Sequence, residues 1–456
     1  MSLSLVKSAP QPLDIAVIGT GISGMAAAWL LSGRHRVTVY EKDDRMGGHT
    51  NTVELADDAG AIALDTGFIV YNERNYPNLT ALFRHLGVQT RPTNMSFAAS
   101  LDDGAFEYSG SGLSGLLAQP RNVFRPRMWN LLRDLHRFYR EAPRLLDSAD
   151  IPQVTLGEYL AQRGYGAAFV RDHLLPMGAA IWSTPADDML KYPLHAFVRF
   201  CHNHGLLTLS DRPTWRTVEG GSRQYLLKLT AAYRDHVRLN TAVRSVHRQA
   251  GQVLVEDRQG EIRRFDHVVI ATHADQALAM LADPDSAERR LLGCFRYERN
   301  LALLHSDEQL MPRARRAWSS WNFMSRGRGE EQKVSVTYWM NRLQQLSTQR
   351  QLFVSLNPLQ HPAPGTVLRS FNYEHPLYDQ DAIAAQRLLW NLQGVRRTWY
   401  CGAYFGHGFH EDGLQAGLAV AEQLGGLARP WTLAEPNNRI HCHAPTAGQQ
   451  QREQAA

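Results

Sequence analysis

Glycines at positions 19, 21 and 24, an acid at 41 and a glycine pair at 47 and 48 are the residues whose spacing most directly suggests chemistry. In DIAVIGTGISGMAAAWLL the run Ile15, Ala16, Val17, Ile18 reads as a short buried strand, and Gly19, Gly21 and Gly24 follow it at G-x-G-x-x-G spacing. Each glycine has its own task. Gly19 permits a tight turn, Gly21 lets the backbone approach a pyrophosphate, and Gly24 lets the helix from Ile22 to Leu31 pack closely on its strand. The start of that helix offers unpaired N–H groups and a partial positive charge to phosphates. A second strand, Val37 to Tyr40, ends in Glu41, 22 residues after Gly19. A carboxylate there suits ribose hydroxyls and repels a 2'-phosphate, so FAD or NAD is favoured over NADP.

Gly110, Gly112 and Gly115 repeat the same spacing in GSGLSG, but without the context. No convincing strand is expected before them, Pro120 cuts short any helix after them, and no second strand ending in an acid follows. They read as a turn. The loop Arg45, Met46, Gly47, Gly48 instead continues the first site, its backbone N–H groups facing another part of the cofactor. Asp65, Thr66 and Gly67 read as a turn beside the first strand, a plain hairpin being the alternative. Near the C-terminus, TWYCGAYFGHGFHEDGLQAGLAVAEQLGG reads as strand, glycine-rich loop and a helix from about Gly413, whose start could face an anionic or carbonyl group. His410 in that loop is the candidate proton-handling group, because imidazole titrates near neutral pH; structural support of the loop is the alternative.

The elements that must position these residues belong to a chain of 456 residues, 44% apolar and 20% charged, long enough for two domains. No apolar run approaches the roughly 18 residues that span a bilayer. The start, MSLSLVKSAPQPL, lacks the apolar core of a signal peptide, so a cytoplasmic location is expected. Net charge is +5, carried by 44 Arg and 5 Lys, with no nucleic-acid recognition motif. Cys201, Cys294, Cys401 and Cys442 are scattered and read as reduced thiols; no metal site is expected at His202 and His204 or at His441, Cys442 and His443.

From Asn72 to Asp211 the pattern is mainly helical. In MWNLLRDLHRFYREAP the residues Met128, Leu131, Leu132, Leu135, Phe138 and Tyr139 recur at helical spacing, and between Arg121 and Arg144 stand seven arginines and two acids. This reads as a charged face over ordinary core. The alternative is peripheral contact with the inner membrane surface, in which Trp129, Leu132 and Phe138 enter the interface. Alternating strands return in VRLNTAVRSV, QVLVEDRQ and IRRFDHVVIAT, and mixed strands run from Leu291 to Ser370.

Glu41, Arg45, Gly47 and Gly48, taken with the glycine fingerprint, resemble the start of the flavin-containing amine oxidase, protoporphyrinogen oxidase and phytoene desaturase superfamily. Further blocks, among them DTGFIVYNERNYPNL, AAIWSTP, WRTVEGGSRQY, TYWMNRLQ and CGAYFGHGFHEDGL, resemble one bacterial subgroup of FAD proteins commonly encoded beside cyclopropane fatty acid synthases. The resemblance implies an α/β fold: a Rossmann-like FAD-binding domain (residues 13–70, 215–290 and 395–428) interleaved with an α+β substrate domain (71–214 and 291–394). Residues 429–456 are expected to be a disordered tail. Noncovalent FAD would have its ribose on Glu41 and its pyrophosphate on Gly19 to Gly24, Ser23 included. Val243 would touch the adenine, and Gly402, Glu411, Asp412, Gly413 and Leu414 the flavin end. Three positions depart from the pattern: His49 where arginine usually follows the glycine pair, Asn300 in place of a lysine, and Phe409 at one wall of the amine oxidases' aromatic cage.

The expected function is therefore FAD-dependent hydride removal from an apolar, lipid-like substrate such as a modified or unsaturated fatty acyl chain. Two alternatives stay open: an amine or amino-acid oxidase, and a noncatalytic FAD-binding partner of a lipid-modifying methyltransferase.

Overall fold

The structure, a computed structural model, describes residues 11–57, 60–147, 154–182, 186–208, 212–327 and 333–442. The N-terminal stretch read for a signal peptide therefore lies largely outside the described residues, as does residue 443 onward. Two compact units emerge. The first combines the described residues up to Gly48 with Leu226–Cys294 and those from Ala385 onward; the second takes His49–Tyr225 and Phe295–Ala384. Residues 49–70 and 215–225, assigned to the cofactor domain from the sequence, fall in the second unit.

The first unit is built on a parallel sheet ordered Val237–Arg238, Arg36–Tyr40, Asp14–Ile18, His267–Ile270, Thr398–Tyr400. Its central strand is apolar on both faces, as a parallel strand covered on two sides must be. Helix Ile22–Ser32 follows the glycine turn with nine of its residues buried, including three consecutive alanines. Such a helix is apolar all round because it is covered all round. One cover is the helix His410–Gly425, which crosses it so closely that a Cβ on Gly417 would lie 2.1 Å from Ser23 O and one on Gly413 would lie 2.9 Å from Ile22 Cγ2.

The tail expectation fails for residues 429–442. Arg429 is buried against Glu422 (2.7 Å) and the carbonyl of Pro436, Trp431 stacks on Trp29, and the Arg439 N–H donates to Gln415. Polar composition suggested disorder, but here the polar groups find partners on the last helix.

The second unit has a seven-stranded sheet ordered Val367–Leu377, Arg296–His305, Phe353–Leu356, Lys333–Trp339, Trp321–Arg326, Phe97–Leu101, Phe106–Ser109. Helices, including Pro126–Glu141, cover part of it. The helical reading of 72–211 missed Thr90–Thr93, Phe97–Leu101 and Phe106–Ser109. One strand thus does precede the second glycine repeat, which forms the short helix Gly112–Leu116. It belongs to an antiparallel pair, not to a βαβ unit. The Pro126–Glu141 helix carries its charged face over ordinary core, with Trp129 alone of the three candidate interface residues exposed. Phe138 is fully buried against Tyr165 and Phe169, Leu132 packs on the core, and Arg137 pairs with Glu141 while lying over the Tyr165 ring. His204 likewise packs, its ring stacked on Phe200.

Candidate functional site

In the first unit the fingerprint residues converge. Gly19 has φ +100°, and a Cβ there would meet Ala271 O at 2.7 Å; a Cβ on Gly24 would lie 2.0 Å from Gly19 O. These two glycines are required by the protein's own packing. Gly21 is different: a Cβ there would meet nothing within 4 Å. The open space lies at the start of the Ile22–Ser32 helix, bordered by Gly48, where a Cβ would come within 3.3 Å of Gly21 Cα. Open space facing a helix N-terminus is what a pyrophosphate requires.

Glu41 stands at the end of the second strand with its carboxylate directed into the turn. Oε2 accepts the Thr20 N–H at 3.0 Å and the Thr20 hydroxyl; Oε1 accepts the Asp43 N–H at 3.0 Å. The Thr20 hydroxyl in turn accepts the Gly47 N–H at 3.1 Å. Thr20 therefore ties the fingerprint, the acid and the second glycine pair into one network. Sequence reasoning missed it because the fingerprint leaves that position unspecified and its partner is 27 residues away. Arg45 closes its own loop, donating to Gly48 O at 2.9 Å. Val243 opens a strand just beyond Thr241, whose N–H donates to Glu41 O at 2.7 Å.

At the far end of the sheet, Gly402 follows Thr398–Tyr400; a Cβ there would strike the Tyr404 ring. Glu411, Asp412 and Leu414 are fully buried in the first turns of the last helix. Asp412 caps that helix by accepting the Phe409 N–H at 2.8 Å and pairs with Arg439, while Glu411 accepts from Gln415 at 3.0 Å. Ser23 is buried beneath Gly417. The expectation that His410 titrates near neutrality is corrected. The residue is only partly buried, yet desolvation by the protein around its ring pulls its pKa down to about 3, which favours a neutral imidazole at physiological pH.

His49, Asp65, Thr66 and Gly67 lie in the second unit. Asp65 is fully buried, and its carboxylate accepts from Thr52 Oγ1 (2.5 Å), Ser222 N (2.9 Å), Ser222 Oγ (2.7 Å) and Gln344 Nε2 (2.8 Å). These donors fix the Gly220–Gly221 turn, where a Cβ on Gly221 would meet Thr52 at 2.5 Å. Its clearest role is therefore internal. Thr66 exchanges a hydrogen bond with Tyr373 OH at 2.8 Å, the His49 ring lies 5.0 Å from Tyr373 and 5.3 Å from His375, and Asn300 bonds His375 at 3.0 Å. Tyr373 and His375 are further residues of this polar cluster, and no local pattern around them signals it. Gly67 permits the close return of His49 O, 2.2 Å from where its Cβ would stand.

Burial pushes the Asp65 pKa up to about 6, with the four donors limiting the rise. The native pKa lies above that of the unfolded chain, about 4. The stabilisation is thus present in full below about pH 4 and lost as pH rises to about 6, a change of about 3 kcal/mol. Asp65→Asn should lower stability, since its amide faces donors, yet flatten this slope in denaturation curves taken across that range. A wild-type stability already flat there would show that the donors cancel the burial.

The profile of flavin-containing amine oxidoreductases matches residues 22–297. The Mycobacterium tuberculosis protein AofH, which carries the name of a flavin-containing monoamine oxidase, is 27% identical over 288 residues, 61% of this chain and 61% of AofH. The chain thus matches under two thirds of that relative's length. Among solved structures, a point mutant of putrescine oxidase superposes with TM-score 0.66 at 16% identity, over 91% of this chain and 99% of the other. A fatty acid isomerase from P. acnes that produces CLA gives 0.63 at 14% over the same shares. The two structures share the fold. The profile takes in more than half of the chain and enters it at the helix that follows the glycine turn, so the protein belongs to the family of flavin-containing amine oxidoreductases.

Proposed function

We propose that the chain holds FAD noncovalently and acts as an oxidoreductase on an apolar, lipid-like substrate, a modified or unsaturated fatty acyl chain. The open cradle at Gly21, with Glu41 and Gly48 at its sides, is the observation that carries the cofactor reading. The residues fit the group: Gly19 to Gly24 would receive the pyrophosphate and Glu41 the ribose, while Arg45 and Thr20 hold the second glycine pair in place. Bound flavin supplies hydride-accepting chemistry. Noncovalent attachment is supported by Cys401, buried and with its thiol pushed up to about 12, too poor a thiolate to form a linkage. His410 serves as a neutral hydrogen-bonding group at the helix start rather than as a titrating base. The acyl substrate is supported by the departures at Asn300 and Phe409 and by the use of this fold in a fatty acid isomerase.

Glu41→Ala should weaken FAD retention about tenfold to a hundredfold through loss of charge-assisted hydrogen bonds. Equilibrium dialysis of the apoprotein against FAD measures this, and unchanged retention would leave Glu41 as a support for Thr20 alone. The substrate reading is tested by mixing yellow holoprotein, without oxygen, with phospholipids bearing unsaturated or cyclopropane chains, with amines and with amino acids. Bleaching by the lipid alone supports it. Bleaching by an amine alone supports the second reading, which AofH favours by its name. Flavin that no membrane extract reduces would point to a noncatalytic partner of a lipid-modifying methyltransferase.

A further inference from the structure

Ten large apolar side chains are exposed among the described residues, and four of them fall between positions 113 and 129: Leu113 (78% exposed), Leu117 (37%), Phe124 (87%) and Trp129 (58%). Phe124 and Trp129 are the aromatic members of that set. Leu113 and Leu117 are one turn apart on the short Gly112–Leu116 helix and its cap, hence on one face. Phe124 closes the Pro120–Phe124 turn, and the Trp129 indole N–H donates to Val123 O at 2.8 Å, which ties the Trp129 side chain to the backbone next to Phe124.

The platform beneath is firmly tied. Asn122 is buried and donates to Glu107 O at 2.8 Å, and Arg127 bridges Asp102 (2.6 Å) and Asp172 (2.7 Å). The exposed rings are thus presented by an ordered surface. Solvent-facing aromatics of this size are costly in water and are retained where something covers them.

Charge identifies what covers them. No acid occurs from residue 108 to residue 133, while Arg121 lies between the two apolar pairs in sequence and Arg125 lies within the second. Both guanidinium groups reach only a backbone carbonyl, Ala105 O, at 3.0 and 2.7 Å, apart from the contacts of Arg125 with Asn122 and the Phe106 ring, and neither has an acidic partner among the described residues. Apolar side chains next to unneutralised arginines match the interface of an anionic bilayer, with the rings at the acyl boundary and the arginines at lipid phosphates.

We propose that residues 113–129 form a docking surface for an anionic lipid bilayer. The surface is observed independently of the acyl-substrate reading; it deepens that reading by naming where such a substrate would be met. Sedimentation of the full-length holoprotein with vesicles tests it, using phosphatidylcholine alone and phosphatidylcholine mixed with phosphatidylglycerol. Wild type is expected to pellet with the mixed vesicles and to be released by salt. Phe124→Ser with Trp129→Ser should lower binding about tenfold or more, and Arg121→Glu with Arg125→Glu should remove the preference for phosphatidylglycerol. Bound flavin should be unchanged in both, because none of the four side chains belongs to the cofactor cradle, while the lost bonds to Ala105 O and Val123 O lower the melting temperature only slightly. Wild type that pellets with neither vesicle overturns the proposal. So does a patch that makes wild type dimeric and the double-serine variant monomeric without vesicle binding. Vesicle binding with no flavin reduction by lipids would retain the docking surface and remove the acyl substrate.

Discussion

Gly21→Val is expected to abolish flavin retention, by on the order of a hundredfold or more, while leaving the melting temperature of the apoprotein unchanged. The residue adopts φ −61° and ψ 172°, which valine accepts without strain, and no protein atom lies within 4 Å of its Cβ position. The added side chain therefore occupies only the space a pyrophosphate would fill. Gly24→Ala should give the opposite pattern. Its Cβ would stand 2.0 Å from Gly19 O, so helix and turn must separate, costing about 1–3 kcal/mol of stability even without cofactor. Thermal melts of both apoproteins, with flavin content after gel filtration, check the pair. A destabilised Gly21→Val apoprotein would mean that the cradle is packed by the protein itself.

The second large effect is expected at Glu288. Its carboxylate is 2% exposed and accepts from Arg248 (Nη2 at 3.1 Å, with Nη1 also in contact) and from Tyr400 OH at 2.6 Å. Arg248, itself 1% exposed, also pairs with Asp283 at 2.8 Å. Glu288→Ala leaves a buried guanidinium short of its closest counter-charge and a buried phenol without its acceptor, which should cost about 3–5 kcal/mol. Urea denaturation measures it. The double change Arg248→Met with Glu288→Leu should recover much of the loss, because apolar groups of similar volume need no partner. A single variant as stable as wild type would show that water replaces the carboxylate. Tyr400 ends the strand before Gly402, so flavin retention should fall together with stability.

What was legible in the sequence was what short-range geometry dictates. Strand, turn, helix and acid from Asp14 to Glu41 follow each other within one βαβ unit, so spacing alone reveals them. Thr20, Tyr373 and His375 were not legible because their roles arise from partners far along the chain. The strands from Thr90 to Ser109 were missed because they are four or five residues long, one contains Pro92, and another is built largely of alanine and serine, which carry little strand signal. His410 was read in the loop before a helix from about Gly413, whereas that helix begins at His410 itself, and its protonation depends on how much protein surrounds it, a quantity a sequence does not carry.

The close crossing of the last helix over the first has a consequence for how the chain is made. A ribosome releases the Ile22–Ser32 helix early, yet residues 398–425, which complete the sheet and cover that helix, leave it only near the end of synthesis. At ordinary elongation rates the delay is on the order of tens of seconds. Throughout it the nascent chain carries an alanine-rich apolar helix with one flank open to water. A chain cut short before Thr398 keeps that flank uncovered and has no means of burying it, so premature termination should yield a chaperone client rather than a smaller folded protein.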